Sequence, residues 1–127
     1  MNIEKVIFGF FIVLALTLNF GFFVGEMTDP THHNVYELYA ALVVSLVATI
    51  LKLGDNSHIG AIFLSTSLVA DLQLIAAATV WGYATHVDQT GASAETMAAV
   101  VSLSGGALLA NIISIILLIA ETINTRR

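Results

Sequence analysis

The chain of 127 residues contains no cysteine and little charge. Without cysteine it can form neither disulfide bonds nor thiolate metal sites. Only 10% of its residues are charged and 57% are hydrophobic, whereas soluble domains carry roughly 25% charged residues. The mean hydropathy is correspondingly high, at +0.91. This composition is typical of an integral membrane protein.

The chain contains four long runs of mainly apolar residues. They predict four membrane-spanning helices at about residues 6–25, 36–53, 59–85 and 96–122, joined by short links. We expect the first run to be a span and not a cleavable signal peptide, because it lacks a small-x-small cleavage site and further spans follow it. We therefore predict an all-α, four-helix integral membrane bundle, with residues 1–127 forming a single transmembrane domain.

Basic residues are scarce, and their positions predict the orientation of the chain. The chain has four of them: Lys5, Lys52, Arg126 and Arg127. With four spans, all of them fall on one side of the membrane, which the positive-inside rule assigns to the cytoplasm. We therefore expect both termini to be cytoplasmic.

Asp71 lies near the middle of the third predicted span. It follows Ile59 by twelve residues, which is about 18 Å of helix and close to the midplane of a ~30 Å hydrocarbon core. A carboxylate at that depth costs roughly 2.5–3.5 kcal/mol on insertion scales. Such residues usually face a bundle interior, a partner chain or a water-filled path, so Asp71 is the main candidate functional residue.

Small and polar residues recur at helical spacing on the same spans, which predicts one inward-facing stripe on each helix. Asn111 on the fourth span lies about eleven residues from the cytoplasmic end of that span. This is roughly 16 Å along the helix, which places Asn111 level with Asp71. We predict that this level contains an ion pathway or polar layer formed by Asp71, Asn111, Ser67, Ser104 and Gln73. The alternative is a hydrogen-bonded contact that only packs the helices, with Asp71 protonated.

The Gly105-Gly106 pair interrupts the fourth span. It permits close packing of two helix backbones, and it could also allow a break whose carbonyl groups coordinate an ion. No Thr-Val-Gly-Tyr-Gly sequence occurs, which excludes an ordinary potassium-channel filter.

The side opposite the basic residues is acidic. Glu26, Asp29 and Glu37 form a candidate outer mouth that would raise the local concentration of cations. The alternative is that outer loops simply avoid Lys and Arg, and a few carboxylates fill their place.

Histidines on the same side are weak candidate metal ligands. His32, His33 and His86 could meet there, but a zinc site needs three or four converging ligands. No histidine lies mid-span to bind haem, and no motif supports nucleophilic catalysis. We therefore predict neither a cofactor nor enzymatic activity.

Three segments carry a family resemblance: residues 35–45, 66–76 and 102–111. They resemble a family of small four-span bacterial inner-membrane proteins of unassigned function. The resemblance covers nearly the whole chain and implies location in the inner membrane. It assigns no role to any residue.

The sequence favours a small oligomeric cation channel or cation/proton permease. One bundle of this size has a narrow interior, so a pore would form more easily around a symmetry axis between protomers, with Asp71 repeated as a ring. The alternative is a structural or accessory subunit of a larger membrane complex, and a quinone- or haem-associated protein ranks below both. The expected partners are the lipid bilayer, further copies of the chain and inorganic cations, with no nucleic acid.

Overall fold

A computed structural model describes residues 3–25, 33–54, 57–87 and 93–125 of the chain. Four α-helices account for most of them: α1 (Ile3–Phe23), α2 (Val35–Lys52), α3 (His58–Gly82) and α4 (Ala94–Thr125). Each helix is long and apolar enough to cross a membrane. The predicted all-α architecture with four spanning helices is thereby confirmed, and each helix begins slightly before the predicted span.

Polar side chains mark the starts of three helices. Asn34, Ser57 and Ser93 each precede the first helical residue and accept a hydrogen bond from a backbone N–H of the first turn, at 2.9, 3.0 and 3.2 Å. These N–H groups have no partner within the helix. The caps therefore fix where α2, α3 and α4 begin.

The last two helices are longer than a simple crossing requires. Residues Tyr83–Val87 continue α3 as a π-helical segment. The α4 helix has 32 residues, about 48 Å at the usual rise, so it extends beyond a ~30 Å hydrocarbon core.

The helices form an antiparallel ring. The α1 helix packs against α2 and α4, and α3 packs against the same two neighbours. We call the end of the bundle that carries Lys5 and Lys52 the basic end, and the end that carries His33 and His86 the histidine end. At the basic end, Lys5 Nζ lies 3.2 Å from Glu121 Oε1 and joins α1 to α4.

Two apolar clusters fill the interior. The histidine-end core includes Phe22, Leu38, Leu74, Met97 and Val100. The basic-end core is built from Phe8, Ile12, Ala48 and Phe63. Lys52 Nζ lies 4.3 Å from the ring centroid of Phe8 and 5.2 Å from that of Phe63, which is cation–π geometry.

Large apolar side chains cover the outside of the ring. Phe10, Leu72 and Leu109 are 61%, 70% and 63% exposed. Since lipid tails are as apolar as these side chains, such a surface suits a bilayer. Small and polar side chains, including Ser45, Ser67 and Asp71, are buried in the interior instead.

Candidate functional site

Asp71 is buried at the contact between α2 and α3, with 5% of its surface exposed. Ser45 Oγ donates a hydrogen bond to Asp71 Oδ1 at 2.6 Å. Thr49 Oγ1 donates to Asp71 Oδ2 at 2.5 Å. We call these three residues the carboxylate cluster. Both oxygens of the carboxyl group are therefore bound by hydroxyl groups of the same chain.

The spacing of α2 explains how one carboxyl group meets two hydroxyls. Ser45 and Thr49 are four residues apart, so their side chains lie one above the other on the same helix face. The small residues Ala41 and Ala48 are buried beside them, and small side chains let helix backbones approach closely. The cluster therefore occupies a narrow contact between two helices.

Thr49 has a second acceptor within reach. Its Oγ1 lies 3.0 Å from the backbone carbonyl oxygen of Ser45. A threonine hydroxyl carries one hydrogen, so Thr49 can donate fully to only one of the two oxygens at a time. When Asp71 is ionised, it accepts the hydrogen of the Thr49 hydroxyl. When Asp71 is neutral, its own carboxyl group can donate to Thr49 Oγ1, and the Thr49 hydroxyl can then donate to the carbonyl oxygen of Ser45.

The partners of Asp71 differ from those expected. The sequence predicts a layer that joins Asp71 to Asn111 through Ser67 or Ser104, whereas the carboxyl group bonds to α2. Asp71 also faces the interior of its own bundle, a position that does not support a ring of Asp71 around an axis between protomers. Thr49 is the main residue that the sequence argument missed. The sequence feature that points to Thr49 is its position one helical turn after Ser45, which places a second hydroxyl group on the same helix face.

Asn111 nevertheless lies nearly level with Asp71 along the bundle. Thr66 Oγ1 and Ser114 Oγ are 2.6 Å apart and fix the register between α3 and α4. Because these helices are antiparallel, Asn111, three residues before Ser114, is level with the turn of α3 between Ser67 and Asp71. Ser67 and Asn111 are both buried, each 3% exposed.

Ser104 belongs to a different contact. Its Oγ lies 2.5 Å from the side-chain amide of Asn19, which joins α4 to α1. With its nitrogen turned toward Ser104, the Asn19 amide also accepts from the backbone N–H of Leu108 at 3.0 Å. Ser104 is thus separated from the carboxylate cluster, and Asn19 is its partner.

Gln73 and the two glycines lie where helices approach closely. A Cβ atom at Gly106 would overlap the side-chain amide of Gln73, and one at Gly105 would lie 2.8 Å from Phe23. Gly106 therefore accommodates α3, and Gly105 accommodates α1. Both glycines lie within the continuous helix α4, which shows no break at this point.

The residues of the histidine end have separate surroundings. His33 Nδ1 lies 2.5 Å from the carbonyl oxygen of Phe22, and the His86 ring packs against Trp81 at 5.9 Å. Within residues 3–25, 33–54, 57–87 and 93–125, no three His, Asp or Glu side chains converge to hold a metal. The structure therefore does not bring His33 and His86 together with a further described ligand as a metal site.

The structure describes one of the three residues of the candidate outer mouth. Glu37 is half-buried, and its carboxylate packs against Gly21 of α1, where a Cβ atom would overlap it. Glu26, Asp29 and His32 lie outside the described residues.

Comparisons with known proteins give a family without a known activity. Residues 32–122 match a family of unknown function, DUF6394. The match includes all three residues of the carboxylate cluster. Neither a curated protein nor a solved structure matches the chain.

Proposed function

We propose that this chain, which belongs to the DUF6394 family of unknown function, moves a small cation across a membrane and binds it at Asp71. The observation that carries the proposal is the carboxyl group buried between two hydroxyls in the membrane-spanning bundle. A carboxylate is costly at that depth. Asp71 is also the only buried carboxylate within the part of the chain that the structure describes.

The dimensions of the carboxylate cluster favour a proton as the cation. Its oxygen atoms are 2.5–2.6 Å apart across the two hydrogen bonds, so a metal ion between them would have to separate α2 from α3. A proton needs no such space, because it can reside on the carboxyl group while Thr49 turns toward the Ser45 carbonyl oxygen. We therefore propose a proton permease.

The setting of this permease follows from the charge pattern and the packing. Lys5 and Lys52 at the basic end support a cytoplasmic location for that end under the positive-inside rule. The bacterial inner membrane is the membrane that the sequence resemblance implies. Homo-oligomerisation stays a prediction. The carboxylate cluster is complete within one chain, so the proposed proton site does not require a second copy.

Proton uptake into liposomes tests the proposal. The purified protein is reconstituted with a pH-sensitive dye inside, and a proton gradient is applied. We expect uptake above protein-free liposomes, and a rate near background for Asp71→Asn. The amide of Asn can accept from Ser45 and donate to Thr49, so the fold should persist.

Glu95→Gln provides a matched control, because Glu95 is an exposed carboxylate in the first turn of α4. This variant should retain the wild-type uptake rate. Wild-type uptake by Asp71→Asn would remove the proposed role of Asp71, and absence of uptake by the wild-type protein would exclude a permease that acts alone.

A second function is favoured by a different observation. Apolar side chains fill the bundle on both sides of the carboxylate cluster, in the histidine-end core and the basic-end core. Filled cores suit a structural or accessory subunit of a larger membrane complex, in which Asp71 would only join α2 to α3. Lack of uptake by the wild-type protein, together with stable co-purifying membrane subunits, would favour this role.

A further inference from the structure

Ser67 differs from the two hydroxyl residues that precede it on α3. Ser65 Oγ donates to the carbonyl oxygen of Ala61 at 3.0 Å, and Thr66 Oγ1 donates to that of Phe63 at 2.9 Å. The Ser67 hydroxyl is buried and makes no hydrogen bond to any described residue. It is thus turned away from the carbonyl groups of its own helix, although such a bond is the usual solution for a serine within an apolar helix.

Two further polar residues lie at the level of Ser67. Asp71 lies four residues later on the same face of α3, and Cβ atoms at this spacing are about 5–6 Å apart. Asn111 of α4 is level with the turn between them, as the contact between Thr66 and Ser114 shows. All three side chains are at least nine-tenths buried. Ser67 Oγ nevertheless makes no direct hydrogen bond to Asp71 or to Asn111, and a single bridging water molecule can connect polar groups that do not meet directly.

We propose that Ser67, Asp71 and Asn111 bind an internal water molecule, and that a proton enters or leaves Asp71 through this water. Buried waters typically make about three hydrogen bonds to otherwise unsatisfied polar groups, and this site offers a hydroxyl, a carboxyl and an amide. The binding of water stands on the geometry alone. Its part in proton transfer rests on the proposed function.

In the transfer step, covalent bonds break and form only in Asp71 and the water. When Asp71 releases its proton, the O–H bond of the carboxyl group breaks, and its electron pair stays on the carboxylate oxygen. A new O–H bond forms on the water, which becomes hydronium. The hydronium then breaks one of its O–H bonds and gives that proton either back to Asp71 or to a second water molecule, and it becomes neutral water again. The carboxylate left behind accepts from Ser45 and Thr49, and the Thr49 hydrogen turns from the Ser45 carbonyl oxygen to Asp71.

The sign of a stability change tests the binding of water. If Ser67 were buried with no partner, Ser67→Ala would remove an unsatisfied hydroxyl and raise the midpoint of thermal unfolding in detergent. If the hydroxyl binds water, the same change removes a hydrogen bond and lowers the midpoint. Ser65→Ala is the matched control, since Ser65 is exposed and bonds only to its own helix. We expect a lower midpoint for Ser67→Ala and a nearly unchanged one for Ser65→Ala.

A double-mutant cycle with Asn111→Ala tests whether both residues hold the same water. Side chains that share one ligand give non-additive effects on stability, so the double variant should lose less than the sum of the single losses. A raised midpoint for Ser67→Ala, or strictly additive losses, would overturn the shared water site.

Proton uptake separates this inference from the proposed function. Ser67→Ala should take up protons more slowly than the wild type and than Ser65→Ala. If Ser67→Ala lowers the unfolding midpoint but the wild-type protein takes up no protons, the water site is supported and its role in proton transfer is excluded. A lowered midpoint with unchanged uptake by Ser67→Ala would place the water away from the proton path.

Discussion

Two of the polar contacts that join neighbouring helices inside this bundle solve the same packing problem with different chemistry. At the contact between α2 and α3, the hydroxyls of Ser45 and Thr49 bind the carboxyl group of Asp71. At the contact between α1 and α4, the hydroxyl of Ser104 meets the amide of Asn19. Both contacts are buried and short, but only the first contains a group that can gain or lose a proton.

The difference shows what joining two helices requires. Asn19 holds α1 to α4 without a titratable group and reaches the backbone of α4 at Leu108. An amide is therefore sufficient for a polar contact in this fold. A carboxyl group at an equivalent contact adds a desolvation cost that packing alone does not require, which favours a chemical role for Asp71.

The largest expected effect on stability comes from Asp71→Leu. Leucine offers no acceptor, so Ser45 loses its partner and Thr49 keeps only the Ser45 carbonyl oxygen. We expect the free energy of unfolding to fall by about 1–3 kcal/mol, the usual cost of leaving buried polar groups unpaired. Thermal unfolding in detergent, followed by circular dichroism, measures the change, with Asp71→Asn as the matched variant that should lose much less. Equal stability of the leucine variant and the wild type would mean that the carboxylate cluster does not hold α2 to α3.

Asn19→Leu should give a smaller loss, of about 1 kcal/mol, because interhelical hydrogen bonds in membranes are worth little on average and Ser104 can turn to a carbonyl oxygen of its own helix. Its proton uptake per folded molecule should equal that of the wild type. Loss of proton uptake by a folded Asn19→Leu variant would contradict a purely structural role for Asn19, since this residue would then belong to the proton path.

Thr49→Val should have the smallest effect on stability, about 0.5 kcal/mol, because valine keeps the shape and removes one hydrogen bond. Thr79→Val is its matched control. Thr79 Oγ1 donates at 2.7 Å to the carbonyl oxygen of Ile75 on its own helix, and its side chain is exposed. We expect proton uptake slower than that of the wild type for Thr49→Val, and an unchanged uptake rate for Thr79→Val. Identical uptake by both valine variants would remove Thr49 as a positioning residue for Asp71.

The sequence was sufficient to predict the four apolar helices and the relative level of Asp71 and Asn111. Hydropathy marks the spans, and a constant rise per residue places Asn111 level with Asp71. The partners of Asp71 could not be predicted in this way, because depth does not determine the rotation of a helix about its axis. That rotation depends on where small residues such as Ala41 and Gly106 let helices approach.

Thr49 shows the same limit for a single side chain. Hydroxyl residues within apolar helices often bond to their own backbone, as Ser65 and Thr79 do here. Sequence alone does not separate these from a hydroxyl that reaches a neighbouring helix. Ser45 and Thr49 become recognisable as a pair only once the register between α2 and α3 places Asp71 beside them.

The most direct test of the account compares proton uptake by Asp71→Asn and Asn19→Leu in liposomes of the same composition, each normalised to folded protein. The two variants alter the two polar contacts separately, so the pair distinguishes a loss of chemistry from a loss of packing. We predict background uptake for Asp71→Asn with a nearly unchanged unfolding midpoint, and wild-type uptake for Asn19→Leu with a lowered midpoint. Wild-type uptake by Asp71→Asn would contradict the account, because the buried carboxyl group would then serve only to join two helices.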